Sequence, residues 1–303
     1  MSDRRLAALD LGTNSARLLV ADVARDGAWR LVVDERIPCR LGQDLARTGR
    51  LHPEAEDRAE RALEELAARA RRAGAQRLVC VATYALRAAS NGPEFVRRVR
   101  RSLGMELLLL SGEEEARLVL SAARRYVASP PGEPLVCLDL GGGSLELARD
   151  DARAPALVSV PLGPVVVGAA LQGSPGPGLV AEFRRRVGEH LRAAAAGFSG
   201  ASREPAAAGG TVTSAARLLG ESGPLSGRAL VAADLEPLLT RLAGLDLEAR
   251  RRLPGLPPDR ADIIVPGLAV LCETLCFLGA GRLRVHEHGV REGVLLAMHA
   301  GEL

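Results

Sequence analysis

Leu9-Asp10-Leu11-Gly12-Thr13-Asn14-Ser15 and Leu138-Asp139-Leu140-Gly141-Gly142-Gly143-Ser144 are one glycine turn written twice. A short apolar run precedes each copy (residues 6–9 and 135–138), and the run that follows, 16–20 or 145–148, reads as extended rather than helical. The pattern predicts strand, tight turn, strand. Glycine permits the turn and bares backbone N–H groups that can point into the bend and hold phosphate oxygens. The aspartate ending each first strand, Asp10 or Asp139, is placed to hold a metal or its waters beside that phosphate. The copies lie about 130 residues apart, a domain-sized period and not that of a solenoid. Two ordinary glycine hairpins would explain either copy alone. Repetition of Leu-Asp-Leu-Gly-x-x-Ser favours a paired site on two similar α/β domains facing each other across a cleft.

A length of 303 residues suits two domains, each able to bury a core, and 47% apolar with 25% charged residues is the composition of a globular protein. No apolar stretch approaches the roughly 20 residues of a membrane helix, and the N-terminus runs straight into a strand, so a cytoplasmic protein with no membrane partner is expected. The chain has no lysine, and all 40 basic residues are arginine. That closes two classes: a Walker loop needs Gly-Lys-Ser/Thr, and a pyridoxal enzyme needs a Schiff-base lysine. A net charge of +3 and 2% aromatic residues argue against a nucleic-acid partner, so any anion preference must be local. Cys39, Cys80, Cys137, Cys272 and Cys276 form no Cys-x-x-Cys pair and read as reduced core residues.

Strands are expected near 6–11, 16–23 and 29–38, then a helix over 54–72 with Ala55, Ala59, Ala62, Leu63 and Leu66 on one face. A strand at 78–82, a helix near 93–101, a strand at 106–110 and a helix over 113–126 complete a first domain of residues 1–128. A Pro/Gly-rich linker at 129–134 opens the second, 129–303, whose strands fall at 135–140, 144–149 and 157–160 before it turns helical. Residues 173–178 and 197–205 read as loops, and the last helix has the option of packing back on the first domain.

Several stretches give the chain a family resemblance: Asp10-Leu-Gly-Thr-Asn-Ser-Ala-Arg17, Arg40-Leu-Gly42, Ala82-Thr-Tyr-Ala-Leu-Arg87, Ser111-Gly-Glu-Glu-Glu-Ala-Arg117, Asp139-Leu-Gly-Gly-Gly-Ser-Leu-Glu146, Pro161-Leu-Gly163, Gly209-Gly-Thr211, Arg260 and Gly289-Val-Arg-Glu-Gly293. In this order, over almost the whole chain, they resemble the exopolyphosphatase and guanosine pentaphosphate phosphohydrolase family. That family belongs to the superfamily of actin, sugar kinases and heat-shock chaperone ATPases. The resemblance implies two actin-like (ribonuclease H-like) α/β domains, in the short form without an added helical domain. It also implies hydrolysis of a terminal phosphate from inorganic polyphosphate, or alternatively from guanosine pentaphosphate. The glycine turns alone indicate only the superfamily; Ser-Gly-Glu-Glu-Glu-Ala-Arg and Gly-Val-Arg-Glu-Gly are far more specific.

Splitting a phosphoanhydride asks for an aligned water, cancellation of charge on the moving phosphoryl and a grip on the chain behind it. Glu113, Glu114 and Glu115 occupy a first helical turn, where acidic residues are routine because the helix dipole favours them. The resemblance singles out Glu115, directly before Ala-Arg, as general base. Glu146 either orients the water, binds a metal or faces solvent. Mg²⁺ (or Mn²⁺) suits Asp10, Asp139 and Glu146, since such an ion takes few carboxylates plus phosphate oxygens and water. Gly12, Thr13, Asn14 and Ser15, Gly141, Gly142, Gly143 and Ser144, and Gly210 with Thr211 would supply an amide cradle, the last at a helix N-terminus. Arg17, Arg87 and Arg260 match family positions that approach phosphate, and arginine forks hold successive anionic groups. Arg291 and Glu292 read first as a structural ion pair, and His286-Glu287-His288 as polar residues at a strand end. The chain departs from the family at Val166, where an arginine is frequent, at Tyr84, and at His286-Glu287, which bears on substrate preference. A hinge at 129–134 would let the domains close on the site. A sugar or acetate kinase and a non-catalytic sensor of polyphosphate or an alarmone are the readings from other classes. A homodimer extending a basic groove is an option that no residue pattern specifies.

Overall fold

The run at 6–11 is apolar at every position except Asp10 because its strand is covered on both faces. The computed structural model describes residues 4–127, 133–171 and 173–303. Its first sheet has the order β3-β2-β1-β4-β5. Here β1 (Arg4–Leu11), β2 (Ser15–Val23) and β3 (Trp29–Pro38) form an antiparallel meander. After α1 (Leu45–Thr48) and α2 (Pro53–Arg72) the chain returns as β4 (Arg77–Ala82), parallel to β1. Then α3 (Tyr84–Ala88) and α4 (Gly92–Leu103) lead to β5 (Leu107–Leu109), parallel to β4, and to α5 (Gly112–Tyr126). Ala7, Leu9 and Leu11 bury into one cluster with Ala59, Ala62, Leu63 and Leu66 of α2, the face that the 3.6-residue period marks out.

The second sheet repeats this order with one strand added, β10-β11-β9-β6-β7-β8. β6 (Val136–Leu140), β7 (Leu145–Arg149) and β8 (Ala156–Val160) are again an antiparallel meander. α6 (Pro164–Val167) and α7 (Pro177–Ala194) precede β9 (Ala206–Ala208), which lies parallel to β6. α8 (Gly210–Leu218), β10 (Ala229–Val231), α9 (Ala232–Ala243), α10 (Leu247–Arg251) and α11 (Ile264–Leu278) lead to β11 (Arg282–Val285), parallel to β9. α11 is apolar nearly all round because it packs against α7, α8 and α9. The loop expected at 173–178 is shorter, since Pro177 opens α7. The one at 197–205 holds a 3₁₀ turn, Ala196–Phe198.

The chain divides into two compact units, one of Met1–Ala122 with Val290–Leu303 and one of Ala123–Gly289. This differs from a boundary at 128/129. The end of α5 goes with the second unit because Arg124 forms a bidentate pair with Asp150, at 2.5 and 2.8 Å. The last helix, α12 (Val290–Ala300), goes with the first: Val294, Leu295 and Met298 bury against Leu6, Ala8, Leu19 and Ala21 on the second face of the first sheet. Of the linker at 129–134, positions 129–132 lie outside the described residues, and with them the proposed hinge. Cys39, Cys80, Cys137 and Cys272 are buried, and burial pushes the Cys39 thiol up to about 11; Cys276, by contrast, is exposed. Among the described residues no helix is long and apolar enough to cross a membrane.

Candidate active site

Both glycine turns close in the same way. The Gly12 N–H donates to the Ser15 carbonyl at 3.1 Å, and the Gly141 N–H to the Ser144 carbonyl at 3.0 Å. Strand register then sets Asp10 opposite Arg17 and Asp139 opposite Glu146. The two copies therefore differ at one cross-strand position, a cation in the first and a carboxylate in the second.

A second loop holds the back of each turn. The Cys39 and Arg40 N–H groups donate to the Asn14 carbonyl (3.1 and 2.9 Å), and Gly42 N–H to that of Thr13 (2.9 Å). In the second unit Gly163 N–H donates to the Gly143 carbonyl (3.1 Å) and Val165 N–H to that of Gly142 (2.9 Å). A planar trans peptide points its N–H opposite its carbonyl. Fixing these carbonyls thus turns the N–H groups of Asn14 and Ser15, and of Gly143 and Ser144, to the far side, as an anion cradle requires. Leu41 and Leu162, both buried, anchor the holding loops. A Cβ on Gly163 would fall inside the Gly142–Gly143 backbone, so only glycine permits this approach. The repeated Leu41-Gly42 and Leu162-Gly163 pairs are visible in the sequence, but their work as turn locks is not.

At the start of α5, Glu113 and Glu114 are exposed and Glu115 is buried. Ser111 and Glu114 form a reciprocal capping box: Ser111 N–H donates to Glu114 Oε2 at 2.7 Å, and Glu114 N–H to Ser111 Oγ at 3.2 Å. The Ser111 N–H, and after it the Ser111 hydroxyl, hold the Glu114 carboxyl below the usual range. Glu115 Oε1 accepts from Arg87 Nη1 at 2.9 Å, and the same nitrogen donates to the Leu110 carbonyl at 2.6 Å. Arg87 reaches it from α3, a helix too short to show a period in sequence. Its guanidinium lies 5.8 Å from the ring centre of Tyr84.

Arg17 is partly buried, and its Nε has no hydrogen-bond partner among the described residues. The charge of Arg291 and then burial lower its pKa. Arg291 is itself buried and donates from Nη1 to Asp34 Oδ1 at 2.6 Å and to the Leu18 carbonyl at 3.1 Å. Its contact with Glu292 is longer, 3.6 Å, so the ion pair expected with its sequence neighbour is secondary to one with Asp34. Burial opposes the charge on Arg291, but Glu292 and Asp34 outweigh it and raise the pKa. Asp34 lies in no motif, and nothing in sequence marks it.

In the second unit Asp139 sits among glycines. A Cβ on Gly209 would come within 2.9 Å of its Oδ1, and one on Gly289 within 3.0 Å of its Oδ2. Glu146 is buried and accepts from Ser159 Oγ at 2.8 Å, so it does not face solvent. The Arg260 guanidinium packs directly on Gly210 at the start of α8, where any side chain would displace it, and Thr211 beside it is buried. Arg250, buried and outside every motif, donates to the carbonyls of Leu245 (3.2 Å), Ala261 (3.0 Å) and Gly173, so it ties down the segment that carries Arg260. His286 is buried with its backbone N–H on the Ala207 carbonyl (2.8 Å), and Glu287 accepts the Leu225 and Ser226 N–H groups. Among the described residues no group of three or more His, Cys, Asp or Glu side chains is arranged to hold a metal ion. Magnesium asks for less: one or two carboxylates with substrate oxygens and water suffice, and the register sets two carboxylates, Asp139 and Glu146, opposite each other.

The model of the Ppx/GppA phosphatase family matches residues 19–302. Exopolyphosphatase 1 of Mycobacterium tuberculosis is 31% identical over 96% of this chain and 87% of its own length. Exopolyphosphatase 2 of the same organism is 33% identical over 98% and 99%. The solved structure of the Aquifex aeolicus PPX-GPPA enzyme, 26% identical, superposes with a TM-score of 0.77 over 97% of this chain and 99% of that one. The fold is therefore the actin-like α/β fold, and the chain belongs to the Ppx/GppA phosphatase family.

Proposed function

We propose that this protein is an exopolyphosphatase that hydrolyses the terminal phosphoanhydride of inorganic polyphosphate in the cytoplasm. The observation that carries the reading is Glu115, a buried carboxylate held at a helix start by Arg87, in a chain whose relatives are named exopolyphosphatases. Water attacks the terminal phosphorus, Glu115 takes its proton, the P–O bond to the bridging oxygen breaks, and the shortened chain leaves with that oxygen and its electron pair. The amides of the turns beginning at Gly12 and Gly141 and the N-terminus of α8 hold phosphate oxygens. Arg17, Arg260 and the outer edge of Arg87, whose side chain keeps 27% exposure, add charge-assisted hydrogen bonds. Asp139 with Glu146, and Asp10, are the residues that would hold Mg²⁺ (or Mn²⁺). The ion supplies neutralisation of charge on the moving phosphoryl.

The test is orthophosphate release from long-chain polyphosphate with Mg²⁺, in wild type and Glu115→Gln, with guanosine pentaphosphate run alongside. Removing a general base is expected to cost about 100- to 10,000-fold. Release that survives in Glu115→Gln would remove Glu115 from the reaction. Faster release from guanosine pentaphosphate would make that nucleotide the substrate. Binding of either anion by folded protein without release would leave a sensor.

A further inference from the structure

β4 starts before one of its neighbours does. Leu6 of β1 faces Arg77, but on the other side β5 joins only at Leu107, opposite Cys80. Among the described residues no strand pairs positions 77–79 on that side, and the notch is a cavity of about 430 Å³. Arg71, Arg77, Gly104 and Glu106 are among its lining residues. Arg72 adjoins Arg71 at the end of α2, and Arg100 and Arg101 lie in the last turn of α4, just before the lining residues Leu103 and Gly104.

Arginines beside this group are neutralised: Arg69 by Glu35 and Glu65, Arg98 by Glu56, Asp57 and Glu60. The side chains of Arg71, Arg72, Arg77, Arg100 and Arg101 are exposed, and none has an ion pair among the described residues. Helix C-termini favour cations, which accounts for arginines there one at a time. It does not account for two helix ends and the start of a strand converging on one cavity. The notch lies at the opposite end of the sheet from the Gly12 turn, roughly 15 Å away along β1 at the usual strand rise.

We propose that this notch is a second anion site, which holds a distant stretch of the polyphosphate chain whose end is being cut. The proposal rests on the exopolyphosphatase reading. Arginine forks match phosphate oxygens, and a repeating polyanion can engage several weak contacts at high effective concentration. No aromatic side chain lines the notch, so a nucleobase has nothing to stack on. Glu106 at the lip weakens the grip, as suits a chain that must be released and drawn along as it shortens.

The experiment compares wild type with Arg71→Gln/Arg77→Gln/Arg100→Gln/Arg101→Gln on long-chain polyphosphate and on tripolyphosphate, which is too short to reach from turn to notch. Four exposed charge contacts together predict a roughly tenfold rise in KM for the long chain, no change in kcat/KM for tripolyphosphate and a shallower salt dependence. Glu106→Gln should move the long-chain KM the other way. An unchanged long-chain KM, or equal losses on both substrates, overturns the proposal. If wild type releases phosphate from neither, the functional reading fails by itself, and calorimetric binding of long-chain polyphosphate to wild type and variant still decides the notch. Single-stranded RNA binding as tightly as polyphosphate, and lost in the same variant, would overturn it in favour of a nucleic-acid surface.

Discussion

Three glutamates in a row meet three environments at the start of α5, since each step along a helix turns the side chain by about 100°. Glu113 points to water, Glu114 reaches back to the Ser111 N–H, and Glu115 turns inward to Arg87. Sequence showed the acidic first turn but not the capping box that Glu114 makes with Ser111; the family match, not the spacing, singled out Glu115, because only the tertiary position of α3 brings Arg87 to it. Arg17 was legible as a charge inside an apolar strand, whereas its surroundings, Arg291 and Asp34, come from positions far apart in the chain. The capping box carries a pH signature. The folded-state pKa of Glu114 is depressed, so its contribution is present above the unfolded pKa and is lost as pH falls through the folded one. Glu114→Ala should cost about 1 kcal/mol at neutral pH, a cost that shrinks towards zero on acidification below the ordinary glutamate range. Denaturant unfolding of both proteins at a series of pH values measures it; a cost that stays constant with pH would mean the carboxylate is not the group that matters.

A glycine turn is only as rigid as what holds its carbonyls, and here the holders are the loops carrying Leu41-Gly42 and Leu162-Gly163. The holding glycine and the turn glycine of the second unit should respond differently. Gly163→Ala drives a methyl into the Gly142–Gly143 backbone, so the second turn must move, at a cost of roughly 1–3 kcal/mol and with weaker substrate binding. Gly141→Ala meets nothing closer than the Ser144 carbonyl at 3.4 Å and should leave stability within about 1 kcal/mol. Thermal unfolding together with KM separates them; equal losses would show that the loop does not lock the turn. Arg250→Met should cost about 2–4 kcal/mol, because the buried Ala261 carbonyl and the part-buried carbonyls of Leu245 and Gly173 lose this donor, and should raise KM through Arg260. A melting loss with no change in KM would make Arg250 purely a support of the core. At this scale the meanders and the long helices of the first half were readable from period and punctuation, whereas α7, α9 and α11 were read only as a general turn to helix without bounds. α3 and β9 were not: α3 is a single turn, and β9 is Ala206–Ala208, a poor strand former that becomes a strand because β6 and β11 pair with it on either side.

The duplicated turn told of two α/β units, but a sequence period says nothing about where the last helix packs, and α12 belongs to the unit that starts the chain. Without α12 the second face of the first sheet lies bare: Leu6, Ala8, Leu19 and Ala21 would lose the cover of Val294, Leu295 and Met298. Burying those three side chains is worth about 6 kcal/mol, comparable with the whole stability of a typical domain at roughly 5–15 kcal/mol. The first unit should therefore not hold its fold in a chain ended at Gly289, although both of its site-bearing elements, the Gly12 turn and α5, would be present. Met298→Ala is the milder probe, expected to cost about 2–4 kcal/mol. Hydrogen exchange then locates the damage: amides of β1 and β2 should lose protection in Met298→Ala while those of β6 and β7 keep theirs, because the second sheet draws on a separate buried cluster. Protection lost equally in both sheets would mean that the two units unfold as one. In that case the stability contributed by α12 would belong to the whole chain and not to the unit whose sheet it covers.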